Sequence, residues 1–422
     1  MLRQLQTGRK LTTTLCFLSL AALAILSMMR GGQLASAAPA AIAAALPRPP
    51  AHSRTKGELD WQRVQADADG FVEVMRDGGR LELTLDPSVQ RQAERAIAAY
   101  PAPYAAAVVL SVDDGRVLAL AGHSTAEPRM TAADLTLKSW APAASIFKLV
   151  TASALIEGGL SADTTVCYHD GVHSVEASNL TANPRLDSAC NSLAFGLAKS
   201  QNAIIARLAH DHLDPIGLQR IARGFGFGEA LPFAMPVEAS QASVPRTNGL
   251  EFARTAAGFW NTTLSPLHGA YLAATLARGG VTPPLRIIDR VVDRAGDSFR
   301  PEGAPERRVI SEDTAREVTR MMVGTTQYGT ARLGFHDKRT GRPLLPGVAV
   351  AGKTGSLNRA APYLAYSWFV GFAPAERPEI AVAVLVGNGE NWHKKAHQVA
   401  EEILAGYFHG DGTVSGTRLA TR

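Results

Sequence analysis

The sequence predicts an α+β fold, in which one mainly antiparallel sheet is built from both ends of the chain and covered by helices. Three strand-like runs lie near the C-terminus, in 347–356, 365–375 and 379–389. Two further β-rich runs within 105–122 flank an Asp-Asp-Gly turn that is typical of a hairpin. The segments between these two groups have the apolar patterns of helices, and this order favours a single sheet.

The elements follow one another from Leu81, where we expect the folded body to begin with a short strand. An Asp-Pro pair after this strand marks the start of an amphipathic helix, and the hairpin comes next. The segment 141–159 predicts a helix that is apolar almost all the way round, which indicates burial. A polar, loop-rich stretch occupies 160–190, and the helical region after it breaks or ends near Lys199.

Three more helices are expected in the second half of the chain. The first, in 264–278, has a Ser-Pro start, and the second, in 311–323, has Ser311 as its N-terminal cap. The third, in 394–408, follows the last strand and closes the body, which therefore spans residues 81–408. The final residues, 410–422, predict a disordered tail.

The N-terminus predicts export from the cytoplasm. Positive residues at Arg3, Arg9 and Lys10 precede the uncharged, largely apolar segment 11–29. This pattern is typical of a membrane anchor or of a signal peptide, so residues 1–30 are interpreted as one or the other. We favour the uncleaved anchor, although an Ala-Ser-Ala sequence at 35–37 offers a cleavage site. Residues 31–58 are rich in Ala and Pro and predict a tether.

The composition excludes some functional classes and leaves a core large enough for an enzyme. The chain has 422 residues, of which 46% are hydrophobic, and a net charge of +5. The basic residues are scattered, so we expect no nucleic-acid partner, and the basic loop 336–343 is interpreted as solvated. His210 and His212, like His393 and His397, have no evident third ligand, so we expect no metal site.

Two cysteines, Cys167 and Cys190, lie in the part of the chain expected outside the cytoplasm. Disulfides persist in that environment, and closing a loop of this length stabilises a fold by about 3 kcal/mol. The two residues could also be separate thiols. We favour a disulfide, because these are the two cysteines of the exported part.

Ser145 and Lys148 lie near the start of the apolar helix. Residues three apart share one helix face, so the two side chains are neighbours. A lysine in apolar surroundings has a lowered pKa and can accept a proton, which would convert the serine hydroxyl into a nucleophile. Taken alone, the pair favours a capping serine and a lysine that reaches solvent, since Ser53 and Lys56 repeat the same spacing in the tether.

Two further short patterns follow along the chain. Ser200 and Asn202 are two residues apart at the expected helix break, where a hydroxyl and a carboxamide can converge on a cleft. Residues 353–356, Lys-Thr-Gly-Ser, come at the end of a strand-like run. There a cation and a hydroxyl could bind a carboxylate, and a glycine would let a ligand approach the backbone. Each pattern alone is a weak signal.

The order of these patterns changes their meaning. Ser-x-x-Lys, then Ser-x-Asn, then Lys-Thr-Gly is the motif set of penicillin-binding proteins and serine β-lactamases. Residues 81–408 resemble the penicillin-binding protein transpeptidase domain, and "VGTTQYGTA" resembles the Gly-Thr-Ala segment of that family. The resemblance implies an α/β/α sandwich with a five-stranded sheet and an all-helical subdomain. "AGFWNTT" stands where the family has a Gly-Gln-Gly-like stretch.

The resemblance also implies roles for individual residues. Ser145 would attack the D-Ala-D-Ala bond of a peptidoglycan stem peptide, Lys148 would take its proton, and Ser200 would pass a proton to the leaving amine. Backbone N–H groups of Ser145 and Ser356 would form the oxyanion hole. A second group of residues would bind the substrate: Asn202, Lys353, Thr354, Gly355 and Ser356. No metal or organic cofactor is implied.

The implied partners are stem peptides, β-lactam antibiotics, a membrane and a separate glycosyltransferase. A D,D-carboxypeptidase, which uses water as acceptor, stays open. A serine β-lactamase is disfavoured, because residue 201 is Gln and the surroundings of Glu238 do not match a water-positioning loop. A non-catalytic envelope scaffold is disfavoured by the complete motifs.

Overall fold

The structure is a computed structural model that describes residues 59–259, 261–391 and 394–410. Its strands are β1 (Val64–Asp67), β2 (Gly70–Val74), β3 (Arg80–Leu83), β4 (Tyr104–Ser111), β5 (Val117–His123), β6 (Ala141–Pro142), β7 (Thr165–Tyr168), β8 (Ala189–Ser192), β9 (Thr263–Leu264), β10 (Ile288–Val292), β11 (Ser298–Phe299), β12 (Ala351–Arg359), β13 (Leu364–Ala373) and β14 (Ile380–Asn388).

The helices are α1 (Pro87–Ala98), α2 (Ala132–Leu137), α3 (Lys148–Glu157), α4 (Ala177–Leu180), α5 (Leu193–Ala198), α6 (Asn202–His212), α7 (Pro215–Gly224), α8 (Leu250–Ala256), α9 (Pro266–Ala277), α10 (Glu312–Gln327), α11 (Arg332–Phe335) and α12 (Ala396–His409). None of these helices is long and apolar enough to cross a membrane. The predicted anchor, tether and most of the predicted tail lie outside the described residues.

The central sheet has five antiparallel strands in the order β12-β13-β14-β4-β5. The predicted hairpin supplies β4 and β5, and the three C-terminal runs supply the other strands. The two ends of the folded chain meet where β14 pairs with β4, with Val382 opposite Val109. The predicted sheet from both chain ends is therefore confirmed. The strand β12, which carries the Lys-Thr-Gly sequence, is at the edge of the sheet.

Helices cover both faces of this sheet. Val108 and Val109 are consecutive on β4, so their side chains point to opposite faces. Val108 belongs to the apolar cluster that includes Leu267 of α9, and Val109 belongs to the cluster that includes Val89 of α1 and Ile403 of α12. The predicted α/β/α sandwich is confirmed.

The two outer layers differ in how much of each helix is buried. The helix α9 is buried along almost its whole length because it lies between the sheet and α2 and α10. It begins at Ser265, whose side chain accepts a hydrogen bond from the His268 N–H, and Pro266 follows at the first position. The helix α1 is amphipathic and is capped by Asp86, as the Asp-Pro pair predicted.

The segment 141–159 is not the single helix that the sequence predicted. Ala141–Pro142 forms the short strand β6, a 3-10 turn covers Ala144–Ile146, and the α-helix begins at Lys148. Ala144 has a φ of 49°, in the left-handed region, and this conformation interrupts a continuous right-handed helix. The predicted break near Lys199 is confirmed: α5 ends at Ala198, and Ser200 has a φ of 57°.

A second sheet, in the order β1-β2-β3-β10-β11, was not predicted. The strand expected at Leu81 is present as β3, but it belongs to this sheet rather than to the central one. Two strands precede it, and Leu59 is already buried in the larger apolar cluster. The ordered structure thus begins earlier in the chain than Leu81.

Candidate active site

Ser145 is in the 3-10 turn that leads into α3, at a place where the backbone is tightly constrained. The Trp368 indole N–H donates to the Pro142 carbonyl at 2.9 Å, which ties the preceding strand to the central sheet. A Cβ atom on Gly258 would lie 2.3 Å from the Ala144 carbonyl oxygen, so only glycine allows this close approach. The N–H of Ser145 lies in the first turn, where it has no intrahelical acceptor.

Lys148 is fully buried directly behind Ser145, and its amine is surrounded by oxygen atoms. Its Nζ is 2.8 Å from Ser145 Oγ and 3.2 Å from both the Oγ and the carbonyl oxygen of Ser200. It also hydrogen-bonds to Asn202 Oδ1. Burial, together with the charge of Lys353, holds the pKa of Lys148 well below its ordinary value.

The contacts of Lys148 account for the protons of a neutral amine. The Ser200 carbonyl and Asn202 Oδ1 can only accept hydrogen bonds, so they take two N–H groups. A neutral amine has two N–H groups and one lone pair, and the lone pair is then left for the Ser145 hydroxyl proton. The arrangement is therefore that of a base directed at Ser145.

Ser200 lies between α5 and α6, and Asn202 is the first residue of α6, as expected for a helix junction. The side chain of Gln201 accepts from the Ala203 N–H and donates to the Asp170 carbonyl at 3.3 Å. Asn202 bridges Lys148 and the neighbouring loop, because its Nδ2 donates to the Val172 carbonyl at 2.8 Å. One amide proton of Asn202 is used in this bond, and the other is available to a ligand.

Lys353, Thr354, Gly355 and Ser356 lie along the edge strand β12. Lys353 is fully buried, and its Nζ donates to Ser200 Oγ at 2.9 Å and to the Thr354 carbonyl at 2.8 Å. Burial lowers the pKa of Lys353 to about 7. The Thr354 hydroxyl is hydrogen-bonded to that of Thr330. A Cβ on Gly355 would be 3.2 Å from Ile146, so glycine keeps the strand close to the turn that carries Ser145.

These residues meet at one cleft of about 400 Å³. Its lining includes Ser145, Ser200, Asn202, Thr354 and Ser356, while the two buried lysines lie behind it. All three motifs are thus brought together. None of the described residues that line the cleft carries a carboxylate. The carboxylate of Glu238 instead accepts a hydrogen bond from the Ser139 N–H at 3.1 Å.

The predicted disulfide between Cys167 and Cys190 is present and joins β7 to β8. The loop after β7 supplies the Asp170 and Val172 carbonyls that hold Gln201 and Asn202. Nearby, the buried Arg207 binds the Asp187 carboxylate at 2.8 Å, and Asp187 also contacts the His169 ring at 2.6 Å. These contacts lower the pKa of Asp187, the hydrogen bond from Arg207 being the largest cause. The bridged segment therefore supports one wall of the cleft.

The comparison with protein families decides which enzymes share this site. The family model of the penicillin-binding protein transpeptidase domain matches residues 105–405. The chain belongs to the penicillin-binding protein transpeptidase family. The folded part of this penicillin-binding protein extends before the matched region, since the described structure begins at residue 59.

Curated relatives of this penicillin-binding protein include mycobacterial enzymes. Peptidoglycan D,D-transpeptidase PbpA of Mycobacterium tuberculosis is 27% identical over 360 residues, which cover 76% of this chain and 70% of that protein. Penicillin-binding protein PbpB of Mycolicibacterium smegmatis is 28% identical over 338 residues, covering 74% of this chain and 50% of that protein.

Solved structures share the fold. The imipenem acyl-enzyme complex of penicillin-binding protein A from M. tuberculosis has a TM-score of 0.65 at 23% identity, covering 78% of this chain and 80% of that one. Penicillin-binding protein 3 from M. tuberculosis, complexed with aztreonam, has a TM-score of 0.66 at 22% identity, and the match covers 87% of this chain and 90% of that one.

Several residues of this penicillin-binding protein's cleft were not predicted as site residues. Lys395 and His397, at the start of α12, line the cleft, as do Lys199 and His173. No local signal distinguishes them from surface residues, because only packing brings α12 beside β13. His393 is not described, and among the described residues no group of three His, Cys, Asp or Glu side chains is arranged to hold a metal.

Proposed function

We propose that this protein is a peptidoglycan D,D-transpeptidase that uses Ser145 as its nucleophile. The observation that carries the proposal is the position of the Lys148 amine, 2.8 Å from Ser145 Oγ with its other contacts to acceptor oxygens. The substrate is a stem peptide that ends in D-Ala-D-Ala, and the product is a cross-link between two strands of the cell wall.

In the first step, Ser145 Oγ attacks the carbonyl carbon of the penultimate D-Ala and its proton passes to Lys148 Nζ. The tetrahedral oxyanion lies between the N–H groups of Ser145 and Ser356. Collapse of this intermediate breaks the C–N bond, and the terminal D-Ala leaves with a proton on its nitrogen. The chain is then esterified to Ser145.

Ser200 is placed to deliver that proton. Its hydroxyl lies within 3.2 Å of Lys148 Nζ and 2.9 Å of Lys353 Nζ, so it can pass its own proton to the amine and be reprotonated from a lysine. Lys353 supplies positive potential, and Thr354 binds the terminal carboxylate. Asn202 holds the peptide through its second amide proton.

In the second step, an amine of a neighbouring stem peptide attacks the ester and gives up a proton through Ser200 to Lys148. Lys148 returns a proton to Ser145 Oγ as the ester C–O bond breaks and the new C–N bond remains. The described lining residues of the cleft include no carboxylate that could activate a water molecule, as the water-positioning Glu of a serine β-lactamase would. This favours slow hydrolysis of the acyl-enzyme over the rapid turnover that a β-lactamase needs. No cofactor takes part in either step.

The place of action that follows from this reaction is the bacterial cell envelope. We propose that residues 1–30 anchor the chain in the inner membrane, or export it if they are cleaved, with the folded body outside the cytoplasm. The new glycan strands would come from a separate glycosyltransferase.

The test is labelling of the purified full chain with fluorescent penicillin. We expect a stable covalent label that Ser145→Ala abolishes. Ser153→Ala is the matched control: Ser153 is buried on the same helix, its hydroxyl donates to the Leu149 carbonyl at 2.8 Å, and labelling should persist. A folded chain that takes up no label would refute the mechanism, and rapid loss of label would indicate a β-lactamase.

To identify the acceptor, the protein is incubated with a D-Ala-D-Ala stem peptide in the presence and in the absence of a second peptide that carries an acceptor amine. A transpeptidase joins the two peptides and releases one D-Ala for each bond formed. Release of D-Ala without any joined product, at all acceptor concentrations, would assign the protein as a D,D-carboxypeptidase.

A further inference from the structure

We propose that Arg207 is a positioning residue for acylation, which fixes the orientation of the Asn202 side-chain amide. That orientation in turn directs the lone pair of Lys148 at Ser145. Arg207 lies behind the cleft and is not among the described residues that line it, so it acts through the loop 169–176, between β7 and α4. The inference rests on the proposed function, since it concerns the same nucleophile and base.

The orientation of the Asn202 amide decides what the base can do. Its oxygen Oδ1 faces the Lys148 amine, and its Nδ2 donates to the Val172 carbonyl at 2.8 Å. A half-turn of the amide would place an N–H donor against Lys148, where it would occupy the lone pair that has to accept the Ser145 proton. The two orientations have nearly the same shape. The Val172 carbonyl, as the acceptor for Nδ2, therefore selects the productive one.

The Val172 carbonyl depends on the rest of the loop for its position. Val172 is 60% exposed, so the packing of its own side chain restrains it only weakly. The preceding Gly171, with a φ of 70°, lies so close to α6 that an added Cβ would be 2.4 Å from the Ala203 Cβ. This contact restrains the loop at one point, and the two ends of the loop need an anchor of their own.

Arg207 anchors both ends of this loop. It is 2% exposed, and its guanidinium donates to the Cys167 carbonyl before the loop. After the loop it donates to the Asn179 and Thr181 carbonyls, at 2.6 and 3.1 Å. Arg207 and Asn202 both belong to α6. The guanidinium therefore fixes the loop relative to the helix that carries Asn202.

His169 connects this anchor to the middle of the loop. Its carbonyl accepts from Asn179 Nδ2 at 3.0 Å, and its ring Nδ1 is 2.6 Å from the Asp187 carboxylate. Arg207 binds the backbone of the first partner and the carboxylate of the second. His169 comes three residues before Val172, so groups bound to Arg207 determine where the chain enters the turn that carries the Val172 carbonyl.

A lysine cannot make this set of contacts. A guanidinium has five N–H groups in a rigid plane, whereas an ammonium group has three on a single nitrogen. Arg207 uses its donors on three carbonyls and on Asp187. Arg207→Lys therefore keeps the positive charge beside Asp187 and loses part of the backbone contacts. Because the net charge does not change, any effect on Lys148 reports on geometry rather than on the removal of a charge.

The experiment measures the second-order rate constant of acylation by fluorescent penicillin, in the full chain and as a function of pH. In Arg207→Lys the maximal rate should fall by about tenfold, because Lys148 is directed at Ser145 in fewer molecules. The fall of the rate on the acid side, where Lys148 becomes protonated, should move to lower pH. An N–H donor in place of the amide oxygen disfavours the ammonium form of Lys148 and lowers its pKa.

Arg278→Lys is the matched control. Arg278 also donates to two carbonyls, those of Val112 and Asp113, and to the Glu306 carboxylate at 2.8 Å. It is not among the described residues that line the cleft. This variant should have a lower melting temperature and an unchanged pH profile. A purely structural role of Arg207 would lower the rate by the same factor at all pH values, without moving the acid side.

Asn202→Ala separates an effect through the Asn202 amide from a direct one. In this background, Arg207→Lys should change the acylation rate by less than about twofold, because no amide is left to be oriented. A further loss of about tenfold in the double variant would overturn the proposal. An unchanged rate, or an acid side that does not move, in Arg207→Lys alone would also overturn it.

Asn179→Ala decides the question if Arg207→Lys does not fold. It removes the hydrogen bond to the His169 carbonyl without any change of charge, so the acid side should again move to lower pH, with a smaller loss of rate. A loss that is equal at all pH values in this variant would overturn the proposal. Absence of penicillin labelling in the unaltered chain would instead overturn the proposed function.

Discussion

Lys148 and Lys353 share one hydroxyl group: their Nζ atoms lie 3.2 and 2.9 Å from the Oγ of Ser200. Both lysines are fully buried, and like charges this close disfavour a state in which both are protonated. In the proposed mechanism Lys353, with a pKa near 7, carries the charge, and Lys148 is the neutral base. The site therefore divides two tasks between two residues of the same type.

This division predicts a bell-shaped pH dependence for the second-order rate constant of acylation by penicillin. The rate falls on the acid side as Lys148 becomes protonated and can no longer accept a proton. It falls on the alkaline side, with a midpoint near pH 7, as Lys353 loses its charge. Stopped-flow labelling between pH 5 and pH 10 measures both limbs.

Lys353→Arg should move the alkaline limb to higher pH, because a guanidinium stays protonated there. Lys138→Arg, at an exposed lysine paired with Asp134, is the matched control. A rate that stays constant up to pH 10 in the unaltered chain would contradict the assignment of the charge to Lys353.

Asn202→Asp should disable the base without removing it. A carboxylate at the position of Asn202 Oδ1 stabilises the ammonium form of Lys148 and raises its pKa, so the lysine is protonated at neutral pH. We expect acylation at pH 7 to fall by about a hundredfold, with the acid limb moved to higher pH.

The matched control is the same change at Asn191, which does not contact the two lysines and whose amide donates a hydrogen bond of 3.1 Å to the Tyr168 hydroxyl. Asn191→Asp should leave the acylation rate within about twofold of that of the unaltered chain. If Asn202→Asp lowers the rate equally at all pH values, the loss does not come from the protonation state of Lys148.

Gly258→Ala should slow acylation by about tenfold or more. Its Cβ would lie 2.3 Å from the Ala144 carbonyl oxygen, so the turn that carries Ser145 has to move. Gly159→Ala is the matched control, since Gly159 also has a positive φ, of 95°, but has no atom within 4 Å of an added Cβ. Both variants should lose about 1 kcal/mol of stability from backbone strain, and only the first should lose activity. Comparable rates in the two variants would show that the turn tolerates the shift.

Replacement of both Cys167 and Cys190 by Ala should lower the free energy of unfolding by about 3 kcal/mol, because the unfolded chain regains the freedom of the closed loop. Acylation should also slow, since the adjoining loop holds Gln201 and Asn202. Denaturant unfolding and penicillin labelling measure the two effects. Cys16→Ala leaves the bridge intact and should match the unaltered chain. An unchanged midpoint in the double variant would contradict this role.

Local sequence determined the strands of the central sheet, several helix boundaries and the identity of the motifs. The strand-like runs of the central sheet, the Asp86 and Ser311 caps and the break near Lys199 are short-range signals, and the structure confirms each of them. Ser145, Lys148, Ser200, Asn202 and Lys353 could be selected because the spacing within each motif and the order of the motifs are both readable along the chain.

Tertiary structure alone decided how these pieces meet. The left-handed Ala144, the contact with Gly258, the second sheet and the placement of Lys395 and His397 depend on residues far apart in sequence. The protonation of Lys148 is also a tertiary property, because desolvation and the Lys353 charge arise only after packing. A residue's own sequence neighbours specify its local conformation. The electrostatic field and the contacts around a buried group are set instead by distant segments that pack against it.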